Sequence, residues 1–150
     1  MKFTIRENPR QRELKMPLLV KLYAITLVAF IFADSIWLGV VARRFYQQQL
    51  GYLLSDRPNL WAAAAFYALF IAGVVAFAIL PALSVNSIWR AMALGGFFGL
   101  VAYATYDLTN HATVKNWPWV VTFVDLAWGT VLSTMVSCVG YLAGRWLQAT

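Results

Sequence analysis

The chain has 150 residues, enough for one domain, of which 61% are hydrophobic and only 12% charged. Soluble chains carry about twice that share of charge, so the polar surface needed to coat a small water-soluble globule is missing, and a mean hydropathy of +0.65 makes lipid the main solvent. The net charge of +6 would suit nucleic acid, but the basic residues crowd into the first 21 positions beside an apolar segment, which favours anionic lipid head groups and argues against nucleic acid.

Residues 1–16 read as a short basic cytoplasmic tail, too charged to bury a core. The remainder, 17–150, is expected to be an all-α, polytopic membrane domain, an antiparallel bundle of four transmembrane helices. The first span, about 17–42, is charged only at Lys21 and Asp34, and at 1.5 Å per residue it is long enough for a bilayer core of about 30 Å. Arg43 to Pro58 mixes Gln47, Gln48 and Gln49 with Phe45, Tyr46 and Leu50, as an interfacial amphipathic stretch does. Asn59 can cap a second span, about 60–80, which Pro81 is expected to stop. Asn86 or Ser87 can cap a third, about 88–106. Asp107 to Trp117 is the most polar segment between spans and reads as a loop, and Pro118 then opens a fourth span, about 118–142, interrupted only by Asp125.

Lysine and arginine resist translocation, so their distribution sets orientation. With the N-terminus inside, eight basic residues fall on the inner side against four outside (Arg43, Arg44, Arg57 and Lys115). The expectation is a multi-pass protein of a bacterial inner membrane with both termini cytoplasmic. The first apolar stretch is too long for a signal-peptide core, so it should stay in the mature protein.

Two spans carry one carboxylate each, and a tryptophan follows each acid three residues later: Asp34 with Trp37, and Asp125 with Trp128. An acid in a bilayer costs about 2.5–3.5 kcal/mol on insertion scales and marks a functional site by default. Both acids lie roughly 10–14 Å below the same boundary, counted from Arg43 and Pro118 at 1.5 Å per residue. Because the helices run antiparallel, Asp34 comes level with Trp128 and Asp125 with Trp37. If the helices are neighbours, each indole can donate to the opposite carboxylate. Tyr103 and Asp107 share a face of the third span and lead to Asn110 and His111 on the same side. These groups define an expected polar pocket of spans one, three and four, opening outward around Asp34, Asp107 and Asp125.

A pair of buried aspartates suits binding or proton exchange, and equally suits a hydrogen-bonded staple that holds helices in register. His111 is the sole histidine, too few ligands for a metal centre, and Cys138 the sole cysteine; no metal or cofactor is expected. No hydrolase, nucleotide-binding or zinc-protease motif occurs. Gly95 with Gly99, and Gly140 with Gly144, are spaced four apart, which permits close helix contact within the bundle or in a homo-oligomer or larger complex. Trp61, Trp89, Trp117, Trp119 and Trp146 fall at span ends, where indoles settle anyway.

Segments Phe32 to Leu54 and Tyr106 to Ser133 resemble a family of small bacterial membrane proteins catalogued only as a domain of unknown function. The resemblance implies a four-helix inner-membrane protein with Asp34, Trp37, Tyr106, Asp107, Asn110, Thr113, Trp117, Pro118, Asp125, Trp128 and Gly129 at motif positions. It carries no activity with it. From the residues, the foremost expectation is binding of a small or lipid-like ligand with proton exchange. The alternatives are an accessory subunit of a larger membrane complex and a lipid-modifying enzyme that uses the aspartates and His111.

Overall fold

The computed structural model describes the backbone of residues 9–55 and 57–149, and side chains from residue 16 onward within those ranges. All its regular elements are helical. Helix α1 (Pro9–Ile36) passes into a π turn (Trp37–Val41), and the short α2 (Arg43–Leu50) follows. Helix α3 (Leu60–Val74), a second π turn (Val75–Ile79) and α4 (Leu80–Ser84) form one continuous rod, followed by α5 (Ile88–Thr113) and α6 (Trp119–Ala149). Four of these stretches are long and apolar enough to cross a membrane: Met16–Val41, Leu60–Ser84, Ile88–Thr113 and Trp119–Ala149.

The caps are where side chains can supply them. Asn59 Oδ1 accepts from the amides of Trp61 and Ala62, both at 3.1 Å, and Ser87 Oγ accepts from Arg90 N at 3.3 Å, so orphan N–H groups at both helix starts are satisfied. Other boundaries differ from expectation. Residues 1–8 of the basic tail lie outside the described residues, whereas 9–16 belong to α1, in keeping with their helix-favouring Arg, Gln, Glu, Leu and Lys content. Pro81 does not end the second span, which continues to Ser84; the π turn just before it resets the hydrogen-bond register, and Pro81 falls in the first turn of α4, where its missing N–H is tolerated. The third span does not stop at Tyr106. It continues to Thr113, and the Thr105, Thr109 and Thr113 hydroxyls each donate to the carbonyl four residues earlier, so polar side chains line this last stretch without breaking it.

Packing follows four-residue spacing. Helix α1 buries Leu22, Thr26, Phe30 and Asp34 on one stripe, and α5 buries Ala91, Gly95, Gly99 and Asp107, with Tyr103 on the same line. Helices α5 and α6 are the most closely packed pair. A methyl at Gly99 would lie 2.2 Å from the Gly129 carbonyl oxygen, and one at Gly129 would lie 2.2 Å from the Tyr103 ring, so two small residues let the backbones meet and make room for a phenol. Gly95 faces Ser137 and Ser133, Gly140 faces Ile79 and Thr26, and Gly144 faces Leu83, so all four spaced glycines abut neighbours within the chain. The core around Phe30, Ile71, Val74, Ile79 and Leu132 sits between the rods, while Val28, Leu69, Phe97 and Phe123 stay exposed to face lipid tails.

Candidate functional site

The site is built where the four rods end on the α2 side. Asp34 closes the buried stripe of α1 and is 5% exposed. Trp128 of α6 donates Nε1–H to its Oδ1 at 3.3 Å, and the Tyr67 hydroxyl of α3 donates to its Oδ2 at 3.0 Å. The cross-helix bond between Trp128 and Asp34 is the one that equal depth calls for. Its counterpart takes another form: Trp37 donates Nε1–H at 3.2 Å to the hydroxyl of Tyr46, and Tyr46 in turn donates to Asp125 Oδ1. The two indoles stack face to face, centroids 4.3 Å apart and planes within 8°, which joins α1 to α6 through their Asp-x-x-Trp segments.

Helix α2 reaches this level because its apolar face docks on the α5–α6 connection. Leu50 packs with Trp117 and Val121, and beside them lie Phe45, Tyr46 and Val114. Beyond α2, Tyr52 donates to the Asn116 carbonyl at 2.7 Å. The hydroxyl of Tyr46 is thereby pressed under the docked helix. Burial, reinforced by its hydrogen bond to Asp125, raises its pKa above the ordinary phenol value.

Beneath α2 lies a cavity of about 790 Å³. Asp34, Arg43, Tyr46, Gln47, Tyr67, Thr105 and Asp125 contribute to its polar lining, and leucines and aromatic rings such as Leu38, Leu54, Phe66 and Phe70 most of its apolar wall. Arrangements of this kind, largely apolar with a few convergent polar groups, hold small molecules. The family model described as "Predicted membrane protein (DUF2177)" matches residues 19–142, which takes in every one of these lining residues. The chain belongs to that family. Comparisons with curated proteins and with solved structures gave no match.

In this DUF2177 member the cavity is not confined to spans one, three and four. Helix α3 forms one wall through Ala63, Phe66, Tyr67 and Phe70, and α2 forms the roof. Sequence reasoning missed Tyr67 and Tyr46, though one signal was present: Tyr67 lies eight residues beyond the Asn59 cap, roughly 12 Å below the boundary and level with Asp34. Of the residues expected at the site, Asp34, Tyr103, Asp125 and Trp128 line the cavity, and Trp37 stacks on Trp128 and bonds to Tyr46. Asp107 does not line it. That carboxylate is fully buried on the α5 stripe, where neither oxygen has a hydrogen-bond partner among the described residues; Tyr103 does not bond to it, and Trp117 turns its N–H to Thr122 Oγ1 at 3.2 Å. Asn110 and His111 also lie outside the cavity lining, and His111 belongs to the last turn of α5, not to a loop. Its ring rests on Trp119, centroids 3.5 Å apart. Among the described residues, no cluster of three His, Cys, Asp or Glu could hold a metal ion.

Chemically the two acids are unequal. Both oxygens of Asp34 are engaged by protein donors. Asp125 is partly exposed, spends Oδ1 on Tyr46, and among the described residues no donor reaches its Oδ2. Asp34 is tied to two other helices, whereas Asp125 lines the cavity with one oxygen uncommitted among the described residues.

Proposed function

We propose that this membrane protein holds a small or lipid-like ligand in the cavity beneath α2, with Asp125 as the carboxylate that meets it. The observation that carries this reading is a space of about 790 Å³, within the size range of ligand sites, with an incompletely satisfied intramembrane carboxylate on a mostly apolar and aromatic wall. A carboxylate bonded on one oxygen and open on the other can exchange a proton with its ligand, and Tyr46, bonded to the first oxygen, holds it in place. The excess of basic residues at the opposite end of the bundle supports a bacterial inner-membrane protein with cytoplasmic termini, and hence a cavity on the outward side.

Native mass spectrometry of the protein extracted from its own membrane tests the reading. A bound species should accompany the wild type and be lost from Ala63→Trp, whose indole would fill the cavity, while the variant keeps its helical circular dichroism. Equal retention by both proteins, or a bare wild-type chain, contradicts the proposal.

A further inference from the structure

The cavity is not sealed on its flank. Helix α5 lies against the rod that contains α3 at the level of residues 75–84, but the α3 and α5 backbones do not stay in close contact through the half of the membrane nearer α2. Deeper down Phe70 bridges α3 to Phe98 and Tyr103 of α5, but nearer α2 Phe66 on the α3 lip is 47% exposed and Tyr106 on the α5 lip 60% exposed, so the apolar cavity wall is uncovered on this flank of the span. A ligand with acyl chains can leave those chains along that flank, whereas a wholly water-soluble ligand gains nothing from it.

The polar lining narrows the head group. With Asp34 satisfied by Tyr67 and Trp128, the charges in the described lining still open to a ligand are one carboxylate, Asp125, and one guanidinium, Arg43. Arg43 opens the roof helix α2, two residues beyond the end of the first span and so at the level of lipid phosphates, and guanidinium is well suited to phosphate. Asp125 lies deeper, about 9 Å below Trp119 at the helical rise. Tyr46, Tyr106 and Trp128 add aromatic faces to the same lining, and such rings attract ammonium groups. One open cation above one open anion is the complement of a zwitterion.

We infer that the cavity takes a phospholipid with an ammonium-bearing head group, admitted sideways between α3 and α5, with its phosphate at Arg43 and its ammonium at Asp125. This rests on the reading of the cavity as a ligand site. An anionic lipid without an ammonium can set its phosphate at Arg43, but the neutral end of its head group leaves the Asp125 carboxylate without a cation.

The test offers delipidated protein equimolar phosphatidylethanolamine and phosphatidylglycerol with matched chains, and reads the retained lipid by native mass spectrometry. Phosphatidylethanolamine should be retained about tenfold over phosphatidylglycerol, since only its ammonium can form a charge-assisted hydrogen bond with Asp125. Asp125→Asn should bring that ratio near one while lipid is still retained, and Arg43→Gln should weaken retention of both. Equal or greater retention of phosphatidylglycerol by the wild type overturns the head-group assignment even if Asp125→Asn fails to fold. If a non-lipid molecule is held in an Ala63→Trp-sensitive way while neither lipid is retained, the lipid inference falls and the ligand site stands. If Ala63→Trp releases nothing because nothing is bound, both fall.

Discussion

Asp34 and Asp125 hold the same place in the same four-residue pattern, on helices that run in opposite directions, at one depth. Their surroundings are nevertheless different. Asp34 faces inward on the α1 stripe and is closed off by donors from two other spans, Tyr67 and Trp128. Asp125 meets, among the described residues, a single donor, Tyr46, delivered by a short interfacial helix, and lines the cavity. Equal sequence patterns therefore give one acid that fastens helices and one that faces a cavity, and what separates them is whether a membrane span or a docked surface helix supplies the partner.

The largest effect that would break this comparison is expected from Asp34→Ala. The change strands the Tyr67 hydroxyl and the Trp128 N–H, each at about 1–3 kcal/mol when left buried without an acceptor. A loss of about 3 kcal/mol should appear in reversible unfolding of the micelle-bound protein. Asp125→Ala strands only Tyr46, which lies in a partly open setting, and should lose about 1 kcal/mol. If the two losses came out equal, the division of roles would be wrong.

Tyr46→Phe sharpens the comparison from the other side. It removes the link between Trp37 and Asp125 and should lose about 1 kcal/mol while leaving Trp128 bonded to Asp34. The phenol also has a signature in pH. Its folded pKa is raised above the unfolded value of about 10, so the stability it contributes is fully present below that value and is lost as pH rises toward the folded pKa. The alkaline absorbance titration of wild type minus Tyr46→Phe should accordingly show this tyrosine ionising later than a free phenol; ionisation at or below about pH 10 contradicts its burial under α2. The smallest effect is expected from Trp37→Phe, which keeps a ring on Trp128 but gives up the bond to Tyr46, for about 0.5 kcal/mol in the same unfolding assay.

The four spans were legible because an apolar run either is or is not long enough to cross a bilayer, and the helical rise alone brought Asp34 level with Trp128. Less was legible where two local preferences compete. Asp107 to Thr113 reads as a loop by polarity, yet threonine hydroxyls bonded to carbonyls one turn back let the helix continue, and that moved His111 onto α5. Pro81 reads as a stop, yet a π turn directly before it accommodates the ring. The site was half legible. The acids and indoles stand out in an apolar chain, but Tyr46 and Tyr67 look like ordinary membrane aromatics until α2 and α3 are folded against Asp125 and Asp34. Asp107, which looked like a third member of the site, falls on the stripe between α5 and α6 because it continues the four-residue spacing of Gly95, Gly99 and Tyr103.

The most direct measurement sets Asp34→Asn beside Asp125→Asn, each reconstituted in the same lipid and assayed for both unfolding stability and retained ligand. Asp34→Asn should unfold more readily yet keep its ligand, since its amide oxygen replaces only one of two acceptors; Asp125→Asn should keep its stability and lose ligand selectivity. The reverse assignment, or parallel loss of both properties in both variants, would contradict the account.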